Sequence, residues 1–110
     1  MKVLFLPEVE VYLFDLIEIL YHKEYFGFKE SAINYIVNLE IDIRNLLPTK
    51  IKRPAPPYFD KFGKNMLYSV FEKNKVTQWY VFFNVYQKED KELVLLVRYI
   101  SNNHMIAQFL

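Results

Sequence analysis

The sequence predicts an α+β domain in which a helical hairpin packs on one face of a small antiparallel sheet, in the order β-αα-βββ. Two amphipathic stretches fill the first half of the chain, and three segments rich in β-branched and aromatic residues fill the second. A proline-rich segment separates the two halves. With 110 residues, the chain has room for one core, so we expect a single domain spanning residues 1–110.

The first half predicts one strand and two helices. Residues 2–6 form a short apolar burst before Pro7, which indicates a strand. The following apolar positions recur at helical spacing and predict an amphipathic helix that ends near Gly27. These positions are Val9, Leu13, Leu16, Ile17 and Leu20. A second helix is expected from about Ser31, a suitable N-cap, to Pro48. The short loop between them predicts an antiparallel hairpin.

The second half predicts three consecutive antiparallel strands, at residues 65–74, 78–88 and 92–102. Polar turns with the sequences KNKVT and KEDK separate them. Three prolines make residues 52–57 a linker that is neither helix nor central strand. The final segment, HMIAQFL, is expected to be a short helix or a tail.

The last strand ends in the sequence VRYISNNH, where an arginine interrupts an apolar run. If the strand is regular, Tyr99 shares one face with Leu95 and Val97, and Arg98 shares the other face with Ile100. An arginine among apolar neighbours needs a partner. Two kinds of partner are consistent with the sequence. One is an acidic side chain or main-chain carbonyl of the protein, and the other is a bound anion such as a phosphate.

Composition and charge exclude some classes of site. The chain is 53% hydrophobic and has no cysteine, which excludes disulfides, a thiolate nucleophile and zinc-thiolate sites. We expect a soluble cytoplasmic protein with neither a signal peptide nor a membrane-spanning helix. Residues 1–49 carry four basic against eight acidic residues, and the remainder ten against five. The basic excess is densest in five candidate nucleic-acid contacts: Lys50, Lys52, Arg53, Lys61 and Lys64. A solvated basic loop is the alternative.

No sequence motif indicates a cofactor. The chain lacks the glycine-rich phosphate loops and the H-E-x-x-H signature. His22 and His104 are the only histidines and lie far apart in the sequence. We therefore expect no metal and no cofactor.

Three stretches carry a family resemblance. YFDKFGKNMLY, QWYVFFNVY and VRYIS, together with the order of elements, resemble the RelE/ParE superfamily over nearly the whole chain. Its members are the toxin halves of bacterial type II toxin–antitoxin modules, including plasmid-stabilisation toxins. RelE-like members cleave messenger RNA in the ribosomal A site without a metal, by attack of a 2′-hydroxyl on the adjacent phosphate. Arg98 matches the arginine of the family's strand-end motif L-R-x-x-H, whose histidine falls on Ser101.

The resemblance implies roles for several residues. Arg98 would steady the charge on the phosphate, with His104 and Tyr99 as the other catalytic candidates and Tyr58 as a further one. The alternatives are a ParE-like inhibitor of DNA gyrase and a non-catalytic interaction domain. Either toxin branch implies a cognate antitoxin as partner, bound at a sheet edge or groove. An aromatic group around the helix turn is expected either to join that interface or to close the core. Its members are Tyr21, Tyr25, Phe26 and Phe28.

Overall fold

The observed elements confirm the α+β class. The computed structural model describes residues 1–23 and 26–110, so Tyr25 of the aromatic group lies outside the described residues. The elements are β1 (Lys2–Phe5), α1 (Pro7–His22), α2 (Lys29–Leu46), β2 (Arg53–Pro54), β3 (Leu67–Glu72), β4 (Gln78–Gln87), β5 (Leu93–Asn102) and α3 (Asn103–Ile106). Among these described segments, no helix has both the length and the apolar character needed to cross a membrane.

The five strands form one mixed sheet in the order β1-β5-β4-β3-β2. The three long strands are consecutive and antiparallel, as predicted. The prediction of a wholly antiparallel sheet is wrong, because β1 pairs in parallel with β5. Residues 53 and 54 of the proline linker pair with β3 at the opposite edge. An edge position suits Pro54, since proline has no N–H to donate to a ladder.

The helical hairpin covers one face of the sheet. The predicted stripe of α1 is correct, with Leu13 and Leu16 buried against the core. The helix limits differ from the prediction: α1 ends before Gly27, and Ser31 lies inside α2. Phe28 occupies the N-cap position and its side chain makes no capping bond. Packing of the apolar side of α2 therefore fixes where the helix starts, because most helical stability in proteins comes from tertiary contacts.

Both faces of the sheet are covered. On the helix side, Trp79, Phe83 and Val97 pack under the hairpin, and the Trp79 indole N–H donates to the Tyr35 hydroxyl over 2.9 Å. A second apolar cluster lies on the other face, where Phe82 meets residues of the 3-10 turn Pro57–Lys61 and of α3. Its buried members are Phe59, Met66, Phe82 and Ile106. We define these four residues as the second cluster.

The side-chain hydroxyl of Tyr12, on α1, has a raised pKa in the folded chain. Burial raises the pKa of the Tyr12 hydroxyl to about 12, the proximity of Tyr99 adds to the increase, and a contact with the Ser101 side chain opposes it. The phenol is therefore held in its neutral form between α1 and the end of β5.

The free energy of unfolding is expected to fall as the pH rises from 10 to 12. In this window the unfolded chain releases the Tyr12 proton and the folded chain keeps it, so alkali favours unfolding. The stabilisation is fully present below pH 10, and roughly 2 kcal/mol is lost by pH 12. Urea unfolding at several pH values is the measurement.

Tyr12→Phe should flatten this pH dependence relative to the unaltered chain. Tyr58→Phe is the matched comparison, because it removes a hydroxyl from an exposed ring that meets Phe59 of the second cluster. Equal slopes for the unaltered chain and Tyr12→Phe would contradict the assignment.

Candidate functional site

A β-bulge in β5 occurs at the sequence-predicted arginine. Phe82 pairs with Tyr99 and Phe83 pairs with Val97, so Arg98 is an extra residue without a partner on β4. The regular alternation predicted for this strand is therefore wrong. Tyr99 packs with the second cluster, whereas Ile100 and Val97 both pack on the helix side. Arg98 follows Val97 and so lies on the face away from the helices, and the extra residue brings the Tyr99 side chain to that same face.

The Arg98 side chain makes one hydrogen bond among the described residues. Its Nη2 donates to the Tyr86 hydroxyl over 2.9 Å. Its Nε is enclosed and has no acceptor within residues 1–23 and 26–110. The same residues supply no carboxylate for an ion pair with Arg98. Within residues 1–23 and 26–110, therefore, neither an acidic side chain nor a main-chain carbonyl is the partner of Arg98.

An unsatisfied enclosed donor costs about 1–3 kcal/mol of folding free energy. The folded chain therefore holds Arg98 in an arrangement that an additional acceptor would improve. Strongly anionic oxygens are the acceptors that a guanidinium prefers, because its planar fork matches carboxylate and phosphate geometry.

Arg98 borders an open cleft of about 580 Å³ at the end of the sheet. Its lining residues are Gly63, Lys64, Asn65, Leu67, Asn84, Val85, Tyr86 and Arg98. Two cations and no carboxylate are in this set, so the cleft favours an anion. Asn84 fixes the wall, because its Nδ2 donates to the Lys64 carbonyl over 3.0 Å. We define this site as the Arg98 cleft.

No protein-family model, curated protein or solved structure gives a significant match to the chain. The RelE/ParE resemblance therefore stays a prediction, and the site is interpreted from its own geometry.

The five basic residues of the predicted nucleic-acid region do not form one patch. Lys64 lines the Arg98 cleft. Lys50 and Arg53 line a separate groove of about 390 Å³ at the β2 edge, together with Tyr68 and Tyr80. The Lys52 ammonium donates to the carbonyls of Pro48 and Lys50, both over 2.9 Å, so it ties down the local backbone.

Lys61 and the two tyrosine candidates take part in aromatic packing. The Lys61 ammonium lies 3.9 Å from the centre of the Tyr58 ring. Tyr58 stacks on Phe109 with a centroid separation of 3.7 Å, and Tyr99 stacks on Phe62 at 3.8 Å. These contacts place Tyr58 and Tyr99 against the second cluster. Tyr99 also follows Arg98 directly on the bulged strand, so the two share one face.

His104 lies away from Arg98. Its Nε2 is 3.3 Å from the Thr77 hydroxyl, just before β4, whereas Arg98 bonds Tyr86 near the end of that strand. Thr77 and Tyr86 are nine positions apart, roughly 30 Å in an extended strand. The structure thus places the imidazole and the guanidinium at opposite ends of the sheet.

The polar residues after Arg98 have structural roles. The Asn102 side chain accepts from the Met105 amide and caps α3. The Asn103 side chain accepts from the Gln78 amide and donates to the Val76 carbonyl, which fastens α3 to the β3–β4 turn. Ser101, where the resembled family has histidine, is buried. Asn102 and Asn103 therefore hold α3 in place at the end of β5. Within VRYISNNH, Arg98 alone lines the cleft.

Sequence reasoning missed three residues that build the cleft: Gly63, Asn84 and Tyr86. One signal was available for Gly63, since it is one of only two glycines in the chain. Another was available for Asn84, an amide within the apolar run QWYVFFNVYQ. Nothing in the spacing of Tyr86 linked it to Arg98, because the pair forms across a hairpin. Within the described residues, no group of three or more histidine, aspartate or glutamate side chains is arranged to hold a metal.

Gly63 gives the Arg98 stem its path into the cleft. A Cβ built on Gly63 would lie 2.6 Å from the Arg98 Cδ and 3.0 Å from the Met66 Sδ. Such distances are well inside van der Waals contact, so the arginine stem must move.

Gly63→Ala is expected to displace Arg98 and break its bond to Tyr86. The NMR signals of the Arg98 guanidinium N–H groups should shift, while the chain stays folded because Arg98 lies at the margin of the core. Gly27→Ala is the matched control, since a Cβ there meets nothing within 4 Å. Unchanged Arg98 signals in Gly63→Ala would show that the contact does not position the arginine.

Proposed function

We propose that the chain is the toxin component of a bacterial type II toxin–antitoxin module and that it cleaves messenger RNA at the Arg98 cleft, without a metal, on the ribosome. The observation that carries the proposal is a guanidinium with an unused donor at a cleft that two cations and no carboxylate line. The resemblance to RelE-like toxins supplies the substrate class, and a cognate antitoxin is the implied partner.

The proposed reaction is an internal transfer at phosphorus. The 2′-hydroxyl oxygen attacks the adjacent phosphate, the bond from phosphorus to the 5′-oxygen breaks, and a 2′,3′-cyclic phosphate and a free 5′-hydroxyl result. Negative charge grows on the non-bridging oxygens as the attack proceeds. Arg98 stabilises that charge by turning its guanidinium towards the phosphate, so that the enclosed Nε gains an acceptor.

Tyr86 is the proton donor in this proposal. Its hydroxyl oxygen already accepts from Arg98 Nη2, so its own proton points away from that bond and is free for the leaving 5′-oxygen. The proton of the attacking hydroxyl passes to water, and water restores the Tyr86 proton. Lys64, on the cleft wall, attracts the RNA backbone. Tyr99 supports the strand beside Arg98, and His104 takes no part in this step.

Arg98→Ala should abolish growth arrest and lower RNA cleavage by about 10²-fold or more, the range for losing one group that stabilises transition-state charge. The measurement is induced expression in a bacterial host, with growth, pulse-labelled protein synthesis and primer extension on ribosome-bound transcripts. Arg44→Ala is the matched control, because Arg44 lies on the helical hairpin on the other side of the sheet. A folded Arg98→Ala chain with full toxicity would remove Arg98 from the site.

Tyr86→Phe separates the proton donor from the charge stabiliser. It should lower single-turnover cleavage by about 10²-fold, a typical loss for a general acid, while RNA binding stays within twofold. His104→Gln and Tyr99→Phe should retain most of the cleavage rate. If His104→Gln proves as damaging as Tyr86→Phe, the proton passes through His104 and the assignment of Tyr86 is wrong.

A second candidate function is inhibition of DNA gyrase. It is favoured by the lack of an imidazole in the Arg98 cleft and by the buried serine at the position of the family's histidine. Early loss of DNA synthesis with protein synthesis spared would support this function. Loss of protein synthesis first supports messenger RNA cleavage. A soluble, folded chain that arrests neither would be a non-catalytic interaction domain.

A further inference from the structure

The solvent side of the helical hairpin carries an apolar stripe that residues 1–23 and 26–110 leave exposed. Its members are Val11, Phe14, Ile33, Val37 and Ile41, all exposed. Phe14 is the extreme case, with 70% of its surface accessible. We define these five residues as the hairpin stripe. A large aromatic side chain at this exposure loses the stabilisation of roughly 1.5–3 kcal/mol that burial gives.

Ion pairs between the helices show that the stripe lies along one seam. Glu10 approaches Arg44, and Glu18 pairs with Lys29, so both glutamates face α2. Phe14 is four residues from each of them and therefore lies on the same side of α1. Ile33, Val37 and Ile41 follow Lys29 at intervals of four, which brings them to the matching side of α2. The stripe thus fills the seam between two ion pairs.

The charges around the stripe indicate the charge of a partner that would bind there. Residues 7–46 carry eight acidic and three basic side chains. Glu8 and Asp15 share the side of α1 that bears Val11, and neither makes an ion pair with another described residue. A second copy of this hairpin would bring two such acidic surfaces together, and like charges at an interface oppose association. A partner with basic residues beside its apolar side chains meets these carboxylates favourably.

We propose that the hairpin stripe is a docking site for a basic amphipathic helix of a partner protein. Ile33 to Ile41 spans about 12 Å along α2, so the contact covers two to three turns of the incoming helix. Apolar residues at i, i+3 or i+4, and i+7 of that helix cover Phe14, Val37 and their neighbours, and flanking lysines or arginines face Glu8 and Asp15. The stripe is on the opposite side of the sheet from the Arg98 cleft, so this inference stands or falls independently of the RNA-cleavage proposal.

The test uses two labelled 18-residue probe peptides with the same leucine positions. One peptide carries lysine on its polar face and the other carries glutamate. Fluorescence anisotropy with the full chain at 0.15 M salt, a condition that screens distant charges, should give saturable binding of the lysine peptide. The glutamate peptide should bind at least tenfold more weakly. Equal binding of both, or binding of neither, would overturn the proposal.

Variants locate the binding site. The double substitution Phe14→Ser with Val37→Ser should weaken binding of the lysine peptide at least tenfold. Val76→Ser, at a residue 67% exposed on the β3–β4 turn, should leave it unchanged. Asp15→Lys should weaken the lysine peptide and strengthen the glutamate peptide. Circular dichroism melts verify that each variant is folded.

Two results would contradict the proposal at this stage. Undiminished binding to the folded double variant would place the peptide elsewhere on the chain. A dimer of the unaltered chain in size-exclusion chromatography that the double variant abolishes would make a second copy the occupant of the stripe.

Discussion

The site depends on the β-bulge between β4 and β5, where Arg98 is an extra residue without a partner on β4. In a regular strand, Leu95 and Val97 on the hairpin side would be followed there by Tyr99, and Ile100 would turn to the opposite face with Arg98. The Ile100 side chain would then leave the apolar cluster in which it is buried. The extra residue puts Tyr99 on the face that Arg98 occupies and keeps Ile100 in the core. One local irregularity therefore preserves the packing of the hairpin side and places an aromatic ring beside the arginine of the cleft.

The chain distributes its charge over two opposite faces. The acidic excess of the first half lies on the helical hairpin, where Lys73 of the second half pairs with Asp42. Four other cations of the second half line the Arg98 cleft and the groove at the β2 edge: Lys50, Arg53, Lys64 and Arg98. A net charge of +1 hides this separation. Because the sheet stands between them, a polyanion and a basic helix can approach without competing for the same surface. The two proposed partners, one anionic and one basic, would therefore meet different surfaces.

Much of the fold was predictable because it follows from periodicity. The apolar spacing of α1, the three antiparallel strands and the proline linker each leave a local pattern that needs no tertiary information. The parallel pairing of β1 with β5 leaves no such pattern, since it joins residues about 90 positions apart. Ser31 was a reasonable N-cap by residue type, yet burial of Ala32 and Ile36 extended the helix back to Lys29.

The site was predictable only in its central residue. Arg98 stood out because it is charged within an apolar strand, and the alternation rule then put Ile100 on its face, where the structure has Tyr99. A bulge changes the face of every following residue and has no reliable signature in one sequence. The same limit applies to Tyr86 and Gly63, whose contacts with Arg98 exist only after the strands pair. His104 was the opposite case, a residue of suitable chemistry that the fold places at the other end of the sheet.

The segment before β3 links the cleft to the second core. Phe59 and Phe62 pack on the aromatic side of the sheet, and Gly63 and Lys64 follow at once to form the cleft wall. Phe62 stacks on Tyr99, which is itself next to Arg98. Any change in the packing of this aromatic layer therefore moves the wall and the bulge together. The density of aromatic residues here fixes the geometry of a polar site that contains few polar contacts of its own, because close-packed rings resist displacement more than a hydrated loop does.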